Sequence, residues 1–354
     1  MTDYRQEIEE LVLIVAKEGA SDLHLTAGRH PTIRVSGDLI PLVKKPVLSP
    51  EDTLGLAMEI LNDENKKLFL EEREVDFSYT PVADVRFRGN AFFQRGLAGV
   101  ALRLIPLKIR TIQELHLPER IVDFVNKKQG FFLVVGPVGQ GKSTTLASLV
   151  ELVNRERAEH IITIEDPIEY LFKSDRSIID QREVRFDTKD FYSALRSMFR
   201  QDVNVAMIGE MRNPETIGMA VTAAETGHLV LSTLHTNSAA QTIDRIIDSF
   251  PGNQQRQIRT QLAGSLLGIF SQRLIPRIAG GLVPAYELLI NNDAVANLIR
   301  EGRTAEIDVI IETGRQEGMV DLNRSLSELV REGEITADSA FRFSTNPDSL
   351  NKLI

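Results

Sequence analysis

The chain has 354 residues, 42% hydrophobic and 26% charged, with a formal net charge of −9, which suits two soluble globular domains with cores of their own. The acidic balance argues against a dedicated nucleic-acid binder, whose contact face is basic. Cysteine is absent, which excludes disulfides and thiolate metal sites and makes a reducing cytoplasm the expected compartment.

The opening MTDYRQEIEELV has no basic stretch followed by an apolar one, so no signal peptide is expected. No apolar run reaches the roughly 18 residues of a membrane span, so membrane contact is expected only through partners. Residues 4–18 place Ile8, Leu11, Val12 and Val15 at helical spacing, and Gly19 ends the run. Short strands are predicted at 23–25, 32–35 and 39–43, helices at 51–61 and 63–72, and strands at 75–80, 85–95 and 99–105. Residues 1–105 therefore read as an α+β module with an antiparallel sheet. The proline-bounded span 106–118 reads as a linker.

From 119 to 354 the pattern alternates. Strands are predicted at 131–135, 160–165, 203–209 and 228–232, with helices to about 157 and at 188–200, 214–225 and 238–248. Near-continuous apolar strands alternating with helices predict an α/β fold with a parallel sheet covered on both faces. A helix at 254–270, strands at 272–278 and 282–290, and helices at 293–301, 304–313 and 321–331 follow, with the last dozen residues expected as a loose tail.

Residues 136–143 read GPVGQGKS directly after FFLVV. A buried strand leading into GxxxxGKS is a phosphate-binding loop in its proper context. Gly136, Gly139 and Gly141 let the backbone curl so that its N–H groups, with those of Pro137–Thr144 where present, face phosphate oxygens. Pro137, Val138, Gln140 and Thr144 complete the cradle. Lys142 supplies positive charge for the outer phosphates, Ser143 a hydroxyl for Mg²⁺, and the helix that starts there its positive dipole end. ATP with Mg²⁺ is the expected ligand.

Hydrolysis needs further groups, and in parallel α/β sheets these sit at the carboxyl ends of strands. IITIEDPIE ends in Glu165 and Asp166, placed to orient or deprotonate a water. VAMIGE ends in Glu210, which suits a Mg²⁺ ligand held directly or through water; Arg212 follows and can report nucleotide state. HLVLST is flanked by His228 and His235, both read as groups sensing water or the γ-phosphate, with His228 placed in the catalytic set. Zinc fails as a rival for want of cysteine and of HxxxH spacing.

Taken in order, GPVGQGKSTT, TIEDPIE, GEMRN and GHLVLSTLHTNSA resemble the Walker A, Asp-box, Walker B and His-box motifs of the secretion ATPase superfamily. GASDLHL at 19–25 is similar to an amino-terminal signature of its pilus retraction branch, and AVANLIRE at 294–301 to the motif AIRNLIRE associated with retraction. The resemblance implies a PAS-like amino-terminal domain, a RecA-like P-loop domain, and a homohexamer with ATP between the two domains. It implies Glu165 as the catalytic glutamate, Glu210 as the Walker B acid and His228 as the His-box residue. It also brings arginines of the first domain onto phosphate, for which Arg86, Arg88, Arg95 and Arg103 are the candidates. The partners implied are the inner-membrane platform protein and, through it, pilin, with the ring at the cytoplasmic face of the membrane. Assembly ATPases, accessory retraction ATPases, a non-hydrolysing switch and a nucleic-acid translocase are the alternatives. Assembly members carry a longer amino-terminal region and a four-cysteine zinc module, which this chain lacks. Asn204, Asn213 and Ala296 depart from the motifs of the family.

Overall fold

The computed structural model describes residues 3–35, 37–82, 85–105 and 108–354, so Pro106 and Leu107, at the head of the span read as a linker, lie outside the described residues. The chain divides into two compact units, 1–108 with 169–171, and 109–168 with 172–354.

The first unit contains α1 (Tyr4–Lys17), β1 (Asp22–Thr26), β2 (Thr32–Val35), β3 (Asp38–Pro41), α2 (Pro50–Ile60), α3 (Asp63–Glu72), β4 (Glu74–Val82), β5 (Val85–Gln94) and β6 (Leu97–Ile105). Its sheet has the order β3-β2-β1-β6-β5-β4, with every pairing antiparallel. Each helix starts where a polar side chain takes an orphan amide: Asp3 for α1, Ser49 in a capping box for α2, Asn62 for α3. The period-two pattern then decides the faces. Leu23, Leu25, Phe77, Phe87 and Leu102 turn inward to meet Ile8, Leu11, Val12 and Val15 of α1 and Leu56 of α2. Asp22, Arg88 and Arg103 alternate with them, so they belong to the opposite, polar face.

The second unit contains α4 (Val122–Val125), β7 (Gly130–Val135), α5 (Lys142–Glu156), β8 (His160–Glu165), β9 (Ile178–Glu183), α6 (Phe191–Met198), β10 (Val205–Ile208), α7 (Pro214–Glu225), β11 (Leu229–Leu234), α8 (Ala239–Asp248), α9 (Gly252–Ser265), β12 (Leu266–Pro276), β13 (Leu282–Ile290), α10 (Asp293–Glu301), α11 (Ile307–Thr313), α12 (Leu322–Arg331), α13 (Ala337–Phe343) and α14 (Pro347–Asn351). The sheet order is β13-β12-β7-β11-β10-β8-β9. All pairings are parallel except β12 with β13. Helices cover both faces, as fully buried β7, β10 and β11 require.

Four expectations change. Strand β9 was not foreseen: its residues IIDQRE form an edge strand beside β8 and carry no continuous apolar run. The helix expected to 270 stops at Ser265, and LLGIF enters β12 instead. Ile112 and Leu117, inside the span read as a linker, are buried in the core of the second unit. The tail is held rather than loose: α13 and α14 form, and Leu350 is fully buried among Ile275, Val283 and Leu326.

Candidate functional site

Parallel pairing fixes which residues can meet. β7 and β11 run together from Gly130 beside Leu229 to Val135 beside Leu234, and β8 and β10 from Ile161 beside Val205 to Ile164 beside Ile208. The carboxyl ends of β7, β8, β10 and β11 therefore form one edge. It carries the phosphate loop after Val135, Glu165 at the end of β8, Glu210 after β10 and His235 after β11.

The loop is shaped by contacts to β12. Gly136 has φ 149°, and a Cβ there would lie 2.5 Å from the Gln272 carbonyl, so no other residue fits. Gln272 is nearly fully buried. Its amide donates to the Gln140 carbonyl, and its Oε1 accepts from the Thr145 hydroxyl at 2.8 Å. The Gln140 Oε1 accepts from the Leu274 N–H at 2.6 Å. Pro137 accepts from Lys142, and Val138 at the loop crest is 80% exposed. Gly141, at φ 77°, precedes α5 without any capping side chain. The first-turn amides of α5 thus face the loop with no side-chain cap, the arrangement that binds anions.

Lys142 reaches across this edge. Its Nζ donates to the Pro137 carbonyl at 2.8 Å and to His235 Nδ1 at 3.2 Å. With Nδ1 accepting, the ring proton sits on Nε2, which lies 3.8 Å from Glu210 Oε2. Burial and the adjacent Lys142 charge hold the His235 imidazole below its usual pKa, so it is neutral at neutral pH. Glu210 Oε1 is bound by Arg212. Glu165 is 5% exposed. Its Oε1 accepts from the Thr163 hydroxyl at 2.6 Å and from Gln181 Nε2 at 3.3 Å. Gly209 lets β10 approach: its N–H donates to the Ile164 carbonyl at 2.8 Å, and Thr233 Oγ1 donates to its carbonyl at 2.6 Å.

His228 stands apart from that edge. It precedes β11, at the amino edge of the sheet, a strand length from the phosphate loop of its own chain. Its carbonyl accepts from Gly130 N–H at 3.0 Å, its Nδ1 lies 3.1 Å from the Ala223 carbonyl, and its ring packs edge-on against Phe199. The carboxyl-end rule that selects Glu165 and Glu210 does not reach it. Buried Gln272 and half-buried Gln181 were missed, because a glutamine in a strand carries no motif. Gln181 also lies on the unforeseen β9.

The arginines of the first unit divide. Arg88 pairs with Arg103 across β5 and β6, and Arg103 with Asp22 across β6 and β1. Arg103 Nε is 2.9 Å and Arg34 Nε 3.7 Å from Asp22. Burial raises the pKa of Asp22, but hydrogen bonds from Ser21 and Arg103 outweigh it and hold the carboxyl below its usual range. Arg86, two residues before Arg88 on β5, donates to the Ser78 hydroxyl at 3.1 Å. Arg95 does not join them: at φ 52° it makes the β5–β6 turn with Gly96, at the far end of β5.

The departing residues have structural roles. Asn213 caps α7 by accepting from Thr216 N–H at 2.9 Å, which an aspartate does equally. Asn204 joins strand starts, accepting from His160 N–H on its side chain at 2.8 Å and from Leu229 N–H on its carbonyl at 3.0 Å. Ala296 is buried against the core on α10.

A parallel sheet with a phosphate loop, two acids and an imidazole at one edge defines a P-loop nucleotide-hydrolase site. The match to known proteins is full-length. The family model for type II/IV secretion system proteins matches residues 5–336, and the chain belongs to that family. It is 45% identical over 343 residues to the type IV pilus retraction ATPase PilT of Pseudomonas aeruginosa, covering 97% of this chain and 99% of that one. It is 39% identical over 349 residues to the type IV pilus ATPase PilU of the same organism, covering 98% and 91%. A crystal structure of the pilus retraction motor PilT with bound ADP superposes with a TM-score of 0.91 at 46% identity, covering 98% and 99%. The fold is accordingly the expected pair, a PAS-like α+β domain and a RecA-like P-loop domain, and the chain binds nucleotide. Among the described residues no helix is long and apolar enough to cross a membrane.

Proposed function

We propose that this chain is the motor of type IV pilus retraction: an ATPase that hydrolyses ATP to drive pilin disassembly and hence twitching motility. The observation that carries this reading is the end-to-end likeness to a retraction ATPase, 45% identity across 97% of the chain. It works as a homohexamer against the inner-membrane platform protein, at the cytoplasmic face of the membrane, and reaches pilin through that platform.

The loop from Gly136 to Thr144 cradles the phosphates. Lys142 places its charge on the outer ones; on the first unit Arg86, Arg88 and Arg103 are the candidates for contact with phosphate oxygens. The donor set suits Mg²⁺: no cluster of three acidic or imidazole groups exists among the described residues to cage an ion. A hydroxyl, one carboxylate and phosphate oxygens are the ligands this ion favours. Ser143 and Glu210 would hold it, where it neutralises charge across the phosphate oxygens. For Glu210 to do so, its contact with Arg212 must open, which gives Arg212 its role as reporter. Glu165 is the base. Thr163 and Gln181 fix one of its oxygens, so its carboxylate is oriented before water arrives; it takes the water's proton as the oxygen attacks the terminal phosphorus, while the bond from that phosphorus to the bridging oxygen breaks and ADP leaves. His235, neutral with its Nδ1 turned to Lys142, donates from Nε2 along the same edge.

The test is deletion of the gene in its host, scored by pilus imaging. Pili that extend and fail to retract are the expected outcome. Loss of pili would transfer the chain to assembly, and normal retraction would leave it in an accessory role.

A further inference from the structure

Strand β12 carries a glutamine among the buried apolar side chains of Ile269, Phe270 and Ile275. Burying an amide costs free energy unless its polar atoms find partners, so the partners of Gln272 say why it is there. Both belong to the phosphate loop and the first turn of α5. Its Nε2 donates to the Gln140 carbonyl, and its Oε1 accepts from the Thr145 hydroxyl at 2.8 Å. The amide cannot turn over, because a carbonyl only accepts and the side facing Gln140 must carry the N–H. Gln140 returns the contact: its Oε1 accepts from the Leu274 N–H at 2.6 Å. Two glutamines thus clamp the loop to β12 in both directions. Gly141 lets the clamp close, since a Cβ there would lie 3.1 Å from Gln272 Nε2 and 3.3 Å from Leu274 Cδ1.

The clamp fixes an orientation as well as a place. A trans peptide is planar, so the C=O of one residue and the N–H of the next point in opposite directions. With the Gln140 carbonyl pinned to Gln272, the Gly141 N–H is turned away from that side chain. Among the described residues no protein group accepts from it. Gly141 itself sits at φ 77°, and glycine occupies either sign of φ with little steric preference. The local chain therefore does little to hold the 140–141 peptide plane, and the Gln272 amide does. Loop amides bind phosphate only when they converge on it, and a donor already aimed loses less freedom on binding than one that must first be ordered.

We propose that Gln272 is a positioning residue for phosphate binding: through the Gln140 carbonyl it aims the Gly141 N–H at the bound phosphates, and so sets nucleotide affinity without touching the nucleotide. This rests on the phosphate-loop reading above and adds to it a residue two strands of sequence away from the motif. The test is ADP calorimetry and steady-state ATP hydrolysis on the full chain and two variants. Gln272→Met keeps the side-chain length and removes both hydrogen bonds. Gln140→Ala cuts only the return bond to Leu274, on a partly exposed loop. Melting without nucleotide shows which variants are folded. Gln272→Met should weaken ADP about tenfold, the low end for one hydrogen bond to a charged group, and raise the ATP KM by the same factor. Its kcat should change by less than about threefold, because a donor that grips ground state and transition state alike acts on KM. Gln140→Ala should show the same split at about threefold. ADP affinity within experimental error of the parent in whichever variants fold overturns the proposal. So does a fall in kcat at unchanged KM, which would make Gln272 a support of the catalytic edge instead. A parent chain that binds no ADP refutes the phosphate-loop reading, and this proposal with it, a result distinguishable from either of the others.

Discussion

At the residue scale the two histidines flanking β11 make the sharpest contrast. They are seven positions apart and share a motif, yet only His235 reaches the carboxyl edge where Lys142 and Glu210 stand. His235→Ala should lower ATP turnover by roughly 10²-fold, the usual cost of removing one preorganised polar group from a hydrolytic site. His228→Ala should leave ADP affinity within about twofold, as expected for a distant, independent position. Turnover assays and calorimetry on the two variants decide it, and the reverse ranking would contradict the placement. The pH dependence follows from the depressed imidazole: burial and the neighbouring Lys142 charge hold His235 below the ordinary imidazole value, so it stays neutral at neutral pH. Turnover should therefore fall at a lower pH than a free imidazole would dictate, as a second positive charge appears beside Lys142. The phosphate loop was legible because each of its residue types answers one demand of phosphate chemistry. His228 enters the catalytic set through resemblance to a motif, whereas strand direction sets it at the opposite edge of the sheet from Glu165 and Glu210.

At the scale of elements, β13 places Glu287 against the start of α8. Its Oε1 accepts from Ala239 N–H at 2.7 Å, and burial pushes its carboxyl up to about 7 from the usual 4.5. Between those two values the folded chain holds a proton that the unfolded chain has released, so this group makes stability fall as pH rises through the window. Glu287→Gln keeps the acceptor and removes the charge. It should stabilise the second unit by roughly 1–3 kcal/mol at pH 8 and by little at pH 4, given about 1.4 kcal/mol per pKa unit. Denaturant melts at the two pH values check this, and equal effects at both would contradict it. Element type was readable wherever apolar period and turn residues agreed, as in β7, β10, α7 and β13. It failed in β9, whose half-exposed IIDQRE has only a parallel neighbour to define it, and at LLGIF, an apolar run that suits a helix or a buried strand equally. Tertiary pairing with β7 settled the second case.

For the whole molecule, the reading requires a ring. Native mass or light scattering with nucleotide present should give six copies, and a monomer under every condition would contradict the motor. The acidic, cysteine-free composition points to no partner; the proposed platform partner rests on likeness across nearly the whole chain, including α10, whose AVANLIRE resembles the retraction-type motif with Ala296 turned into the core. The central claim is that the carboxyl edge of the second sheet is a hydrolytic site and not merely a nucleotide-binding one. Its most direct test is Glu165→Gln, assayed in parallel for ATP binding and for steady-state phosphate release. The variant should bind ATP as the parent does and release phosphate at least about 10²-fold more slowly, the span attributed to a positioned general base. Phosphate release within a few-fold of the parent would contradict the account.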